Sequence, residues 1–159
     1  MKKVISALLV AASASLALPT AASANPLSAA EAVSNWYNAY GNNAFNAIAA
    51  DENAMGAASS PRNEAKACAK FEADARSAES HRVNYRPLQV RLAVAWKDFA
   101  ESGRNCVAGI KRRDVGLVKK SAKELEAGNY QLTLAANAAT GALPDGLGAL
   151  SQVLSGSGS

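Results

Sequence analysis

Few side chains in this sequence are suited to making or breaking bonds. It holds two cysteines, Cys68 and Cys106, one histidine, His81, and one internal methionine, Met55. Cys106 lies in "SGRNCVAG", residues 102–109, among small and polar neighbours. Such residues serve as a thiolate with a histidine base, as metal ligands, or as a disulfide. Two cysteines and one histidine fall short of a zinc set, and neither C-x-x-C nor H-E-x-x-H spacing occurs. A di-iron bundle draws on two Glu-x-x-His pairs, which a single histidine cannot supply. Covalent haem needs C-x-x-C-H, which is also missing. Choosing between a Cys–His dyad and a disulfide depends on the elements that carry these residues.

Alanine is abundant and β-branched residues are sparse, which favours helix over strand. Ser28 and Glu31 form a capping-box pattern that predicts a helix over about 28–58. Its apolar stripe reads Val33, Tyr37, Tyr40, Ala44, Ile48 and Met55, with Asp51 on the same face. Ser60 before Pro61 predicts the cap of a second helix, 61–82, with Cys68, Phe71, Ala75 and Ala78 on one face. Pro87 breaks that helix. A third, 88–113, carries Leu88, Leu92, Trp96, Phe99, Gly103, Cys106 and Ile110. Asp114 is the expected cap of a fourth, 115–138, with Val118, Ala122, Leu125, Leu132 and Ala136 inward and a kink at Gly128. The fold expected is all-α: an up-down-up-down antiparallel four-helix bundle with a thin core.

In an antiparallel hairpin, facing positions share a midpoint at the turn. For 68 and 106 that midpoint is 87, which is Pro87. Both cysteines also lie on apolar stripes, so a Cys68–Cys106 disulfide between helices two and three is expected. His81 faces position 93 in the same register, 13 residues from Cys106. That is about 20 Å along the helix, which excludes a Cys–His dyad. Met55 and His81 fall at opposite ends of the bundle, so a haem between them is excluded as well. No metal, no cofactor and no enzymatic activity is expected.

The chain opens "MKKVISALLVAASASLALPTAASANP", with two lysines, an apolar run and an Ala-Ser-Ala motif. This predicts a signal peptide over 1–24, cleaved between Ala24 and Asn25, and a secreted product. The bundle domain then occupies 25–139, and a Gly/Ser-rich flexible tail follows over 140–159. No later segment is apolar enough to span a membrane. The formal charge of +4 drops to +2 once Lys2 and Lys3 are removed. Residues 82–123 nevertheless carry 11 cations against three acids. Lys111, Arg112, Arg113, Lys119, Lys120 and Lys123 gather around the third turn as a candidate contact for an anionic envelope surface. No aromatics interleave them, so no specific nucleic-acid partner is expected.

Two further features have a structural and a functional reading. Asp51 on an apolar stripe is either a poised acid or, as is commoner, a paired buried charge. No second carboxylate is placed beside it by the pattern. Trp36, Tyr37, Tyr40, Trp96 and Phe99 should reach similar heights and form an aromatic layer, which fills the core or holds a small ligand.

Trp36, Asp51, Cys68, Pro87, Trp96, Cys106, Gly109, Asp114 and Gly128 occur in an order that resembles small secreted all-helical proteins of actinobacterial genomes, generally carried as hypothetical proteins. The resemblance spans roughly residues 33–134 and is carried best by the cysteine pair flanking a proline turn. It implies the helical fold, the disulfide and export, and no catalytic residue. The expectation is thus a secreted, non-enzymatic binding or structural component of the cell envelope. The alternative is a soluble carrier of a small hydrophobic or sugar ligand in the aromatic layer. The sequence does not set the oligomeric state.

Overall fold

The computed structural model describes residues 26–142, all of them in helices or the short turns between. The proposed leader and most of the proposed tail lie outside these residues. Helix α1 has two α-helical segments, Pro26–Trp36 and Asn42–Gly56, joined by a π-helical segment, Tyr37–Gly41. Helices α2 (Pro61–Glu79), α3 (Arg86–Arg112) and α4 (Val115–Ala142) follow. Tight turns make sequential helices antiparallel neighbours, and the first segment of α1 packs back on α4 to close the bundle.

Local chemistry accounts for most helix ends. Ser60 has an extended backbone, and its Oγ accepts from the Asn63 N–H at 3.3 Å, with Pro61 at the first helical position. Asp114 caps α4 as expected, its Oδ1 accepting from the Gly116 and Leu117 N–H groups at 2.8 and 3.2 Å. Arg113 closes α3 in the left-handed region at φ 54°, and the Asp114 N–H returns to the Gly109 carbonyl at 2.9 Å.

Several boundaries differ from expectation. Helix α1 starts at Pro26, so Ser28 lies inside its first turn rather than capping it. Helix α2 stops at Glu79, and α3 starts at Arg86 with Pro87 inside its first turn, where the missing N–H has no helical acceptor to lose. Helix α4 continues to Ala142, past both the expected end at 138 and the expected domain boundary at 139.

The expected stripes of α2 and α3 are the buried ones, with Ile110 alone half-buried. The α1 stripe is so only in part. Its buried face runs Val33, Trp36, Gly41, Phe45, Ile48 and Asp51. The step of five from Trp36 to Gly41 is the π-turn, which inserts one residue and shifts the face locally, before Ile48 and Asp51 resume the expected stripe. Tyr40 is thereby turned out to 49% exposure, and Phe45 replaces Ala44 inward. The α4 face is also rephased, to Ser121, Gly128, Ala135, Ala139 and Ala142, while Val118 and Ala122 are exposed. The helix runs through Gly128 without interruption. A Cβ there would stand 2.4 Å from the Phe99 ring, so it is the site where that ring lies on α4 backbone. The core of Val33, Phe71, Leu92, Trp96 and Phe99 is fully buried.

Candidate functional site

The disulfide forms between Cys68 and Cys106 with Cα atoms 6.0 Å apart, and no free cysteine remains among the described residues. A reacting thiol is therefore not present at "SGRNCVAG". Gly103, one turn before Cys106, brings α3 onto α2 so closely that a Cβ would stand 2.7 Å from the Cys68 carbonyl oxygen. Beside this staple runs a polar seam that the apolar pattern did not reveal. Buried Ser102 donates to the Ser121 carbonyl at 2.9 Å, and Asn105 donates to Glu124 at 2.7 Å. These bonds satisfy polar groups at the α3–α4 contact and fix its register.

The aromatic cluster has different members from those expected. Trp36, Phe45, Trp96, Phe99 and Phe71 form a connected chain with ring centroids 5.4–6.0 Å apart. Tyr37 is half-buried and packs on Phe45 at 6.3 Å, whereas Tyr40 leaves the layer altogether. The space remaining beside Val33, Trp36, Phe45, Leu88 and Ala139 is about 20 Å³. That is room for about one water molecule. The layer itself is thus filled by its own side chains.

Asp51 is 3% exposed and pairs with Lys70, whose Nζ lies 2.7 Å from Oδ1 and 2.6 Å from Asp74 Oδ2. Pairing is the commoner expectation for such a residue, but a second carboxylate does stand beside it, contrary to the sequence reading. Asp74 shares the Lys70 ammonium with Asp51. Lys70 and Asp74 are four residues apart on α2, a visible helical ion-pair spacing; their meeting with Asp51 is not visible. The Asp51 Oδ2 is buried and has no hydrogen-bond partner among the described residues. Burial, outweighing Lys70, raises the Asp51 pKa, and burial likewise raises those of Glu52 and Asp98. The Lys70 hydrogen bond lowers that of Asp74.

A raised carboxyl pKa in the folded state means that this state binds the proton more tightly than the unfolded chain does. Its stabilising contribution is complete below the unfolded value of 3.8 for Asp51 and is lost as pH rises through the folded value. Asp74 acts in the opposite sense, and its contribution is lost as pH falls through its lowered value. Mild acidification from pH 7 is therefore expected to raise the melting temperature, with a fall only at stronger acid. Asp51→Asn should keep the acceptor for Lys70 and remove the desolvated charge. We expect its stability at pH 7 to equal the parent's or exceed it by up to about 1 kcal/mol, with a flatter rise on acidification. Thermal melts of both proteins from pH 7 to pH 3 check this; a variant clearly less stable at pH 7 would show that the ion pair outweighs burial.

The six cations of the third turn are all exposed. Lys120 reaches Glu124 at 3.6 Å; among the described residues Lys111, Arg112, Arg113, Lys119 and Lys123 make no ion pair. Val115, the first residue of α4 beside the same turn, is 66% exposed, and Val118 is 41% exposed.

At the other end of the bundle, α1 and α2 border a groove of about 200 Å³. The Trp36 Nε1–H donates to the His81 carbonyl at 2.7 Å, and the Tyr40 ring packs on the His81 ring at 4.4 Å. The His81 Nδ1 lies 3.0 Å from both the Ser77 carbonyl and the Ser80 hydroxyl. His81 is thus a structural anchor at this end, beyond the last residue of α2. No group of three or more metal-binding side chains occurs among the described residues, and none of their helices is long and apolar enough to cross a membrane. Compared with models of protein families, with curated proteins and with solved structures, the chain matches none.

Proposed function

We propose that this chain is an exported, non-enzymatic bundle that binds an anionic lipid surface of the cell envelope through the α3–α4 turn. The observation that carries the reading is the cationic collar of Lys111, Arg112, Arg113 and Lys119, which make no ion pair among the described residues, around exposed Val115. Cations near an anionic membrane contribute about 1 kcal/mol each. An aliphatic side chain among them suits the headgroup boundary better than it suits a dissolved polyanion. The left-handed closure at Arg113 and the Asp114 cap hold the turn in one shape, so little ordering is required on contact. The Cys68–Cys106 disulfide supports export, since such bonds persist in oxidising compartments.

Co-sedimentation with phosphatidylglycerol vesicles tests the proposal. Binding should weaken with salt, vanish on phosphatidylcholine, and fall about fivefold for each of Lys111, Arg112 and Arg113 changed to Gln. Val115→Asp should weaken vesicle binding more than binding to soluble polyphosphate. Salt-independent binding, or binding to polyphosphate with none to vesicles, would overturn the lipid assignment.

A further inference from the structure

We infer that the groove between α1 and α2, at the end of the bundle opposite the basic turn, is a binding site for a small organic cation of the alkylammonium class. Its walls include Trp36, Tyr40, Asn43, Asp74, Ser77 and His81, with the small side chains of Ala44 and Ala47 between them. At about 200 Å³ it lies below the range of drug-sized sites, about 300–1,000 Å³, and suits a group the size of choline.

Three features point to a cation. The first is charge. Among the described residues Asp74 is the one carboxylate on the groove wall, and no lysine or arginine lines it. Behind Asp74, the ammonium of Lys70 is shared between two carboxylates, which leaves the cluster one positive charge short when both are ionised. The second is the buried Asp51 Oδ2, an acceptor without a donor in that same cluster. The deficit therefore lies beside a cavity open to solvent, where an incoming ammonium can offset it at Asp74. The third is the aromatic wall. The π-turn swings Tyr40 out of the core and onto His81, while the Trp36 indole is tied to the His81 carbonyl. Ring faces next to a carboxylate attract cations, alkylammonium groups above all. Because the rings are held by contacts within the protein, the site is formed before any ligand arrives.

The experiment is a titration of the folded, disulfide-bonded protein with choline, followed by the indole N–H resonances of its two tryptophans. Trp36, although largely buried, borders the groove, whereas Trp96 does not line it and serves as the internal reference. Choline should move the Trp36 resonance and leave Trp96 in place. The neutral isostere 3,3-dimethylbutan-1-ol should bind at least about tenfold more weakly. Asp74→Asn should weaken choline binding about fivefold or more. Ser77→Lys, which introduces an ammonium from an exposed position, should weaken it by a similar factor without touching the Asp51–Lys70 pair. Equal binding of the neutral isostere, or a neutral sugar that binds as well as choline and ignores Asp74→Asn, would overturn the cation assignment. A Trp36 resonance unmoved at saturating choline would remove the site.

Discussion

Replacing Cys68 and Cys106 together by alanine should lower the unfolding free energy by about 4 kcal/mol, the chain-entropy estimate for a bridge across 38 residues. For a single domain with a typical total of about 5–15 kcal/mol, that is a large share. The effect should sit mainly in the unfolded chain. The bridge ties α2 to α3 across the turn at 80–85, so in the oxidised unfolded state this hairpin cannot open fully. The variant should therefore keep its helical signal in water, unfold at a lower urea midpoint and show a steeper dependence on denaturant, because more surface is released. Reduced wild-type protein should behave in the same way. A loss below about 1 kcal/mol would mean that the α2–α3 hairpin persists in the unfolded chain without its bridge.

The register behind this prediction was legible from two regular apolar stripes and not from the turn itself, which lies at 80–85 rather than at Pro87, so that α3 begins beyond the end of α2. A midpoint at Pro87 placed two cysteines opposite each other, and they are bonded. The same reasoning fails on α1 for physical reasons. Periodicity assumes a constant rotation per residue, and the π-turn at Tyr37–Gly41 breaks that assumption without a proline or an unusual residue pattern to announce it. Tyr40 was consequently assigned to the core, although it faces the groove, and Phe45 was missed. Lateral register is a second loss. The 57–60 turn places Asp51 opposite position 66, one helical turn short of Lys70, and only the long lysine side chain closes that gap. Gly128 illustrates a third. A glycine within a helix weakens it or admits a neighbour, and choosing between these needs to know which ring lies across from it. The basic turn, by contrast, was legible in composition alone, because exposed charge needs no partner to be located.

Gly103 is the position where the packing and the disulfide can be separated. Alanine is favoured over glycine in a helix interior by about 1 kcal/mol, and Gly141, with open space around it, should show a gain of up to that size when changed to alanine. At Gly103 the added Cβ meets the Cys68 carbonyl oxygen at 2.7 Å and the Glu72 amide nitrogen at 2.8 Å, both backbone atoms of α2. No rotamer change relieves such a contact, so the two helices must move apart. Gly103→Ala is therefore expected to cost about 2–3 kcal/mol despite its better propensity, measured by urea unfolding. The disulfide one turn away resists that movement, because it holds the two Cα atoms at 6.0 Å. In the Cys68→Ala, Cys106→Ala background the helices are free to separate, and the same substitution should cost less by at least about 0.5 kcal/mol. If the costs instead add without coupling, the close approach is set by the Phe71–Phe99 packing beneath it, and the bridge fastens helices that were already in place.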